Sequence, residues 1–170
     1  MAEPRTSVVR RNRSAGLAIA AIVFIVDQAV KWIVSYPLAL AHRPAIDLLD
    51  IFRLQWVQNT GVSLGILPAG SELQRWMLVT LTGIIAAGVL FWLWGEKRRG
   101  DAVALGFVLG GAAGNILDRV RFGYVIDFAN LHFGDISPFL VFNVGDAAIT
   151  IGVLLLIVRA LFIPNAKKEV

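Results

Sequence analysis

The chain has 170 residues, 57% of them hydrophobic and 16% charged, with a mean hydropathy of +0.71. A soluble domain is about 45–50% apolar and about 25% charged, so this composition excludes an ordinary soluble protein as well as a disordered one, and it indicates a membrane protein. Cys is absent and His occurs twice, which removes a disulfide framework, a thiolate nucleophile and the cysteine-based zinc and iron–sulfur sites.

The net charge is +4 and the pI near 10.0, and the placement of the cations decides what that means. Arg5, Arg10, Arg11 and Arg13 precede the first apolar run, Lys97, Arg98 and Arg99 follow the second, and Lys167 and Lys168 follow the last. Cations gathered at the ends of apolar runs are the positive-inside pattern, not a nucleic-acid footprint.

A membrane helix needs about 20 predominantly apolar residues. Four runs meet that length or approach it: Ala15–Tyr36, interrupted by Asp27, Gln28 and Lys31; Trp76–Gly95, without a charge; Ala102–Leu117, closed by Asp118 and Arg119; and Asn143–Ile163, with Asp146 near its start and Arg159 near its end. Four spans put both termini on one side, and the basic clusters make that side cytoplasmic. The segments Pro37–Arg75 and Val120–Phe142 then lie outside. Leu48–Val57 has partial strand-like alternation, and Tyr124–Phe133 is apolar enough to lie on the membrane surface. The expected architecture is an all-α membrane protein: one integral membrane domain over 1–170, a four-transmembrane-helix bundle with a small extracytoplasmic β-like segment and a surface-lying helix or loop. A cleavable leader is disfavoured, because the first run is long, lacks a small-residue cleavage site and carries a charged pair further on.

Polar side chains are costly in hydrocarbon, so their depth is informative. Asp27 and Lys31 fall in the outward half of the first span, Asn115, Asp118 and Arg119 at the outer end of the third, and Asn143 and Asp146 at the outer start of the fourth. All reach one boundary, while the cytoplasmic halves are nearly free of ionisable groups. Asp27 and Lys31, four apart, suit a self-neutralising pair that either makes the helix insertable or orients the site. Gly106, Gly110 and Gly114, with Gly111 starting a row through Asn115 to Arg119, form a close-packing face that turns Asn115 and Arg119 into the bundle. Asp118 reads as an interfacial end-of-helix carboxylate, and Arg159 as a cation snorkelling to the interface.

Asp127 stands alone among apolar neighbours in Tyr124–Phe128, and Asp146 follows Asn143 near a helix N-terminus that favours an anion. Two carboxylates at one depth in a low dielectric share a proton, which is the arrangement of an aspartic protease: one activates water and the other protonates the carbonyl oxygen. Composition alone does not choose the pair. A Ser63 and Lys31 dyad is the mechanistic rival, weakened because Asp27 keeps Lys31 charged. His42 and His132 lack partners at metal-ligand spacing and default to the surface.

Five strings in order resemble the bacterial lipoprotein signal peptidases, also called type II signal peptidases. They are Asp27-Gln-Ala-Val-Lys31, Asn59-Thr-Gly-Val-Ser-Leu-Gly65, Gly110-Gly-Ala-Ala-Gly-Asn115-Ile-Leu-Asp118-Arg119, Gly123-Tyr-Val-Ile-Asp127-Phe128 and Phe142-Asn143-Val-Gly-Asp146. The resemblance implies that Asp127 and Asp146 are the catalytic dyad of an aspartyl endopeptidase, with Asn59, Asn115, Arg119 and Asn143 binding substrate or supporting the dyad, and Asp27 and Lys31 supporting the site. It also implies the reaction: removal of the signal peptide before a diacylglyceryl-modified cysteine, without metal or cofactor, at the outer leaflet of the bacterial inner membrane. The partners implied are a lipid-modified prolipoprotein and membrane lipids, with no nucleic acid, and the enzyme is expected to act as a monomer. Trp56 and Asn59 are expected to cover the substrate, and Phe128–Phe133 to act as a movable clamp. Gly145 stands where the family usually has Ala, Leu140-Val141 where Pro-Ala is frequent, and Leu64 where an aromatic is common. A small transporter or channel is the rival from another class, disfavoured because a conducting path needs polar groups reaching both faces. A noncatalytic assembly subunit accounts for the glycine rows but not for two carboxylates at one depth.

Overall fold

The computed structural model describes residues 5–61, 71–134 and 136–162. In chain order the elements are α1 (Arg5–Ser35), a short 3-10 turn at Leu40–His42, β1 (Ile46–Leu49), β2 (Phe52–Asn59), α2 (Glu72–Trp94), α3 (Arg99–Phe122), β3 (Val125–Leu131) and α4 (Val144–Phe162). The four long helices each meet the length and hydropathy of a membrane span, so this is a multi-pass helical protein carrying a small sheet.

Three helices, α1, α2 and α3, begin earlier than the apolar runs do. α1 starts at Arg5, ten residues before Ala15, and its 31 residues reach about 46 Å against a hydrocarbon core of about 30 Å. Hydropathy marks only the part in lipid, whereas arginine is a good helix former and continues the helix into the aqueous boundary. α2 opens on Ser71, whose hydroxyl accepts from the Gln74 backbone N–H at 3.2 Å. α3 closes on Gly123 in the left-handed region, φ +86°, and its last carbonyls are taken by Arg75, which donates from Nε to Arg119 O at 2.8 Å and from Nη2 to Val120 O at 2.6 Å. That clasp joins the start of α2 to the end of α3.

α3 is the central helix, with α1, α2 and α4 around it. Its glycines set the spacing. A Cβ at Gly110 would lie 2.5 Å from Ala20 O and 2.7 Å from Val23 Cβ, and one at Gly106 would strike Gly16 O. On the neighbouring face, a Cβ at Gly111 would strike Gly145 O of α4, and a Cβ at Gly152 of α4 would lie 2.6 Å from Ala104 O. Small residues in register let two backbones approach α3 from two sides, which is how helices associate where lipid supplies no hydrophobic drive. The opposite surfaces remain apolar and exposed, with Ile84 66%, Phe91 84% and Leu161 72% accessible, as a lipid-facing surface requires.

The outer segments form one antiparallel sheet in the order β1-β2-β3. The single alternating stretch expected at Leu48–Val57 is divided by a tight turn at Asp50-Ile51, so that Ile46 pairs with Leu54 across a hairpin. Tyr124–Phe133, expected on the membrane surface, instead contains β3, whose residues Val125–Asn130 are all buried. β2 pairs along one edge and Phe142 exchanges backbone bonds with Ala129 on the other, at 2.8 and 2.9 Å. Buried on both edges and faces, the strand has no alternation to betray it. Within the stretch expected to act as a clamp, Phe128 is 5% exposed and packs with Ile126, Ala129, Val34 and Leu40, whereas Phe133 at its end is 58% exposed.

Gly110→Ala is expected to lower unfolding stability in detergent by about 1–3 kcal/mol, because its new methyl meets backbone and the β-branch of Val23. Gly88→Ala, with nothing within 4 Å of its Cβ, is expected to change stability by less than about 1 kcal/mol. Thermal unfolding of the two variants side by side checks the assignment of α3 as the packing centre.

Candidate active site

The sheet and helix ends bring the sequence-derived polar residues into one buried cluster. Its middle is the Lys31 ammonium, with a side chain 3% exposed. Nζ lies 2.8 Å from Asp27 Oδ2, 2.8 Å from Asp118 Oδ2 and 3.0 Å from Asn115 Oδ1. Three acceptors use all three ammonium protons, so Lys31 has no lone pair to offer as a base. The rival Ser63 and Lys31 dyad loses its base on this ground, and Ser63 itself lies outside the described residues.

Asp118 is corrected from an interfacial end-of-helix carboxylate to a buried one, 1% exposed. Besides Lys31 it accepts from Gln28 Nε2 at 3.1 Å and from the Ile126 backbone N–H at 3.2 Å. Gln28, read from the sequence only as a polar interruption of the first span, also donates to Asp27 Oδ2 at 3.2 Å. Asp27 reaches across the bundle, its Oδ1 accepting from the Gly145 N–H at 2.8 Å. The lack of a side chain at Gly114 makes this possible, since a Cβ there would overlap the Asp27 carboxylate.

From this base two chains of hydrogen bonds lead to Asp146 and Asp127. Asn115, oriented by Lys31, donates Nδ2 to Asp146 Oδ1 at 2.8 Å. Asn143 touches both carboxylates: its Nδ2 donates to Asp127 Oδ1 at 2.6 Å and its backbone N–H to Asp146 Oδ2 at 3.2 Å, while its Oδ1 accepts from the Asp146 N–H at 2.9 Å. The last bond is the N-cap of α4, so the residue that starts the helix also bridges the two acids. Asn59 completes the set by donating Nδ2 to Asp127 Oδ2 at 2.9 Å. The register explains that contact. Val57 pairs with Asp127, and Asn59, two residues on, shares its face and sits diagonally across the ladder.

Asp127 is 1% exposed. Burial raises its carboxyl pKa to about 6, the nearby Asp146 charge adds to the rise, and the hydrogen bonds from Asn59 and Asn143 with the Lys31 charge hold it back. Arg119 lies in the field of Asp146, Asp127 and Asp118, yet forms no ion pair at contact distance among the described residues, and its buried Nε has no partner there. A donor in that state suits an incoming carbonyl or ester oxygen. Trp56 borders a cavity of about 410 Å³ together with Gln28, Lys31 and Asp118, beside the cluster and open toward Trp32 and Tyr36.

Every candidate named from the sequence, Asp27, Lys31, Asn59, Asn115, Arg119, Asp127, Asn143 and Asp146, therefore belongs to one neighbourhood. One outlying expectation is corrected: His132 is buried at 7% exposure instead of lying on the surface. Arg159, at the far end of the bundle, is ion-paired with Asp101.

The chain is similar to known proteins along most of its length. The family model for signal peptidase (SPase) II matches residues 19–162. The lipoprotein signal peptidase of Rhizorhabdus wittichii is 56% identical over 156 residues, covering 92% of this chain and 91% of that protein. The lipoprotein signal peptidase of Sphingopyxis alaskensis is 54% identical over 148 residues, 87% and 86% of the two chains, and that of Pseudomonas putida is 34% identical over 155 residues, 90% of each. A solved bacterial membrane enzyme superposes with a TM-score of 0.75 at 28% identity, covering 92% of this chain and 93% of its own. The chain belongs to the signal peptidase II family.

Lys31→Met strands Asp27 and Asp118 as buried carboxylates without their cation and is expected to cost about 3–5 kcal/mol of stability. Arg53→Met breaks a partly exposed pair with Asp47 on the sheet and is expected to cost less than about 1 kcal/mol. Unfolding of both variants in one detergent separates a cluster that organises the fold from a surface pair.

Proposed function

We propose that this signal peptidase II removes the signal peptide from diacylglyceryl-modified prolipoproteins as an aspartyl endopeptidase, with Asp127 and Asp146 as its dyad. The observation that carries the reading is Asn143, which hydrogen-bonds one carboxylate through its side chain and the other through its backbone, fixing them as a pair in a site largely closed to water. Support for the substrate class comes from the relatives, which are lipoprotein signal peptidases.

Asp127, whose pKa burial raises to about 6, is the member that holds the shared proton, and Asp146 is the base. Water oxygen adds to the scissile carbonyl carbon while the Asp146 carboxylate takes a water proton and Asp127 gives its proton to the carbonyl oxygen. The resulting gem-diol collapses: the C–N bond breaks, the nitrogen takes the proton held on Asp146, and a gem-diol proton returns to Asp127. The products are a signal-peptide carboxylic acid, which then ionises in water, and a free amino group on the lipidated cysteine, and the dyad is restored. Asn59 and Asn143 keep the Asp127 oxygens oriented, Asn115 does so for Asp146, and Arg119 supplies a donor for a substrate oxygen. Asp27 and Lys31 support them from behind. All these side chains come from one chain, so a single copy suffices.

A cysteine carrying diacylglycerol keeps its scissile bond at the membrane boundary, where the ends of α1, α3 and α4 hold the cluster. The basic ends of the apolar runs favour both termini in the cytoplasm of a bacterium and the dyad on the outer face of its inner membrane.

Asp127→Asn and Asp146→Asn are each expected to lower turnover of a lipidated prolipoprotein by at least about 10²–10⁴-fold in folded protein; full turnover by either variant overturns the dyad. The pH profile gives a second check. A carboxyl with a raised pKa keeps its proton below that value and loses it above, so the acid role weakens as pH rises. kcat/KM is therefore expected to fall above a pH of about 6, with the kcat limb higher because bound substrate buries Asp127 further. Asn59→Ala, which removes a bond favouring the ionised form, should move the kcat/KM limb to higher pH, and a shift to lower pH contradicts the assignment.

A further inference from the structure

With the carboxylate end of the bundle taken as up, two cavities lie one above the other along α1. The upper one, of about 410 Å³, is enclosed by the last turns of α1 and α3 and by the sheet, and the lower one, of about 350 Å³, by α1, α2 and α3. Leu17, Ala21 and Phe24 line the lower cavity, and Gln28, Trp32 and Ser35 the upper one. Steps of three or four residues put all six on one face of α1. On α3, Leu109, Gly110 and Ala113 border the lower cavity and Arg121, about two turns beyond Ala113, borders the upper one. Phe24 and Gln28 are one turn apart, so the two cavities are parts of one crevice. It stays open because α1 meets α2 where Leu93 lies against Gly16, and above that point both helices pack mainly on α3.

The two ends differ in chemistry. Every side chain of the lower cavity is apolar, with Leu90 of α2 closing it opposite Phe24. The upper cavity gathers Trp32, Tyr36, Trp56 and Tyr124 with Arg121. Trp56 Nε1 is buried there and has no hydrogen-bond partner among the described residues, a state that native proteins seldom leave to a donor. Lys31 and Asp118 also reach this wall, but they are joined to each other, with Asp27 as the second acid. Arg121 balances that count, so the cavity suits a group without net charge that is rich in acceptors. Ile126 lines it, and Asp127, next on the strand, faces the opposite side of the sheet. The crevice therefore lies behind the sheet from the carboxylates. From Arg121 to Leu109 it follows twelve residues of α3, about 18 Å, against about 15 Å for one leaflet of the hydrocarbon core.

We propose that this crevice binds one zwitterionic glycerophospholipid of the leaflet around the carboxylate end, with its glycerol esters and phosphate beside Trp56, Tyr124 and Arg121 and one acyl chain running down past Phe24 and Ala113. Trp and Tyr, apolar in body and hydrogen-bonding at the tip, sit at the headgroup level of a bilayer, and the apolar lower half continues the lipid-facing surface of the helices. A lipid seated there rests against Gln28 and Lys31 and braces the upper end of α1 from behind. Neither Asp127 nor Asp146 lines the crevice, so the proposal stands whether or not the peptidase reading does.

The test is native mass spectrometry of the full chain, equilibrated in detergent with palmitoyl-oleoyl phosphatidylcholine and stripped of detergent in the gas phase. Wild type should retain one lipid per chain. Ala113→Phe and Ala21→Phe fill the crevice from opposite walls at exposed positions, and each should lower the retained fraction by about tenfold or more. Ile84→Phe, on the open face of α2, should leave it unchanged. Oleic acid, which offers the chain without the glycerol esters, should be retained at about a tenth of the level of the phospholipid. Added lipid should raise the thermal midpoint of wild type but not that of Ala113→Phe. No lipid retained by wild type, undiminished retention in either folded crevice variant, an equal loss in Ile84→Phe, oleic acid held as well as the phospholipid, or the same thermal shift in Ala113→Phe would each overturn the proposal. If one crevice variant does not fold, the other decides.

Discussion

The structure depends on one buried cation. Lys31 lies among Asp27 of its own helix and Asp118 and Asn115 of α3, and each partner carries the constraint onward, two of them to α4 and one to β3. Asp27 holds the Gly145 N–H of α4, Asp118 holds the Ile126 N–H of β3, and Asn115 holds Asp146. The ammonium is thus one residue removed from α4 and β3, the two elements that carry the carboxylates. A charge in a low-dielectric interior is tolerated only with its hydrogen bonds complete, so satisfying Lys31 and arranging the carboxylates beyond it are one requirement.

The glycines of α3 and the buried charges serve one another. Gly114 leaves the space that the Asp27 carboxylate occupies, and Gly111 lets the start of α4 come against α3 so that Asn143 and Asp146 reach the cluster. The sheet adds the remaining acid. β3 leaves the end of α3 through Gly123, and its pairing with β2 delivers Asp127 beside Asn59. Burial of Asp127 raises its pKa while two asparagine amides and Lys31 restrain the rise, which keeps the group able to hold or release a proton instead of being fixed in one state.

Much of this was legible in the sequence because membranes impose simple rules. Four apolar runs, the glycine row and the common depth of Asp27, Lys31, Asn115, Asn143 and Asp146 follow from hydropathy and helix geometry. The pairing of Asp127 with Asp146 came from the resemblance carried by the five strings, since no local period locates a carboxylate on a strand. The unread parts share a cause. β3 is recognised through β2, more than sixty residues earlier, and full burial erases its alternation. Asp118 looked interfacial because it ends an apolar run, and only the return of β3 over it reveals that it is buried. Gln28 shows in the sequence as a polar residue in an apolar run, but an amide beside a charged pair carries no sign of which partner it serves.

The central claim is that Asp127 and Asp146 form a proton-sharing pair held by this buried network. It is tested most directly by following carboxyl carbon resonances of 13C-labelled aspartate in the intact, substrate-free protein across a pH series, with Asp127→Asn to identify the signal. The account predicts one carboxyl titrating at a pH of about 6 that vanishes in the variant. A signal assigned to Asp127 that has completed its titration by about pH 4.5, as a solvated aspartate would, contradicts it.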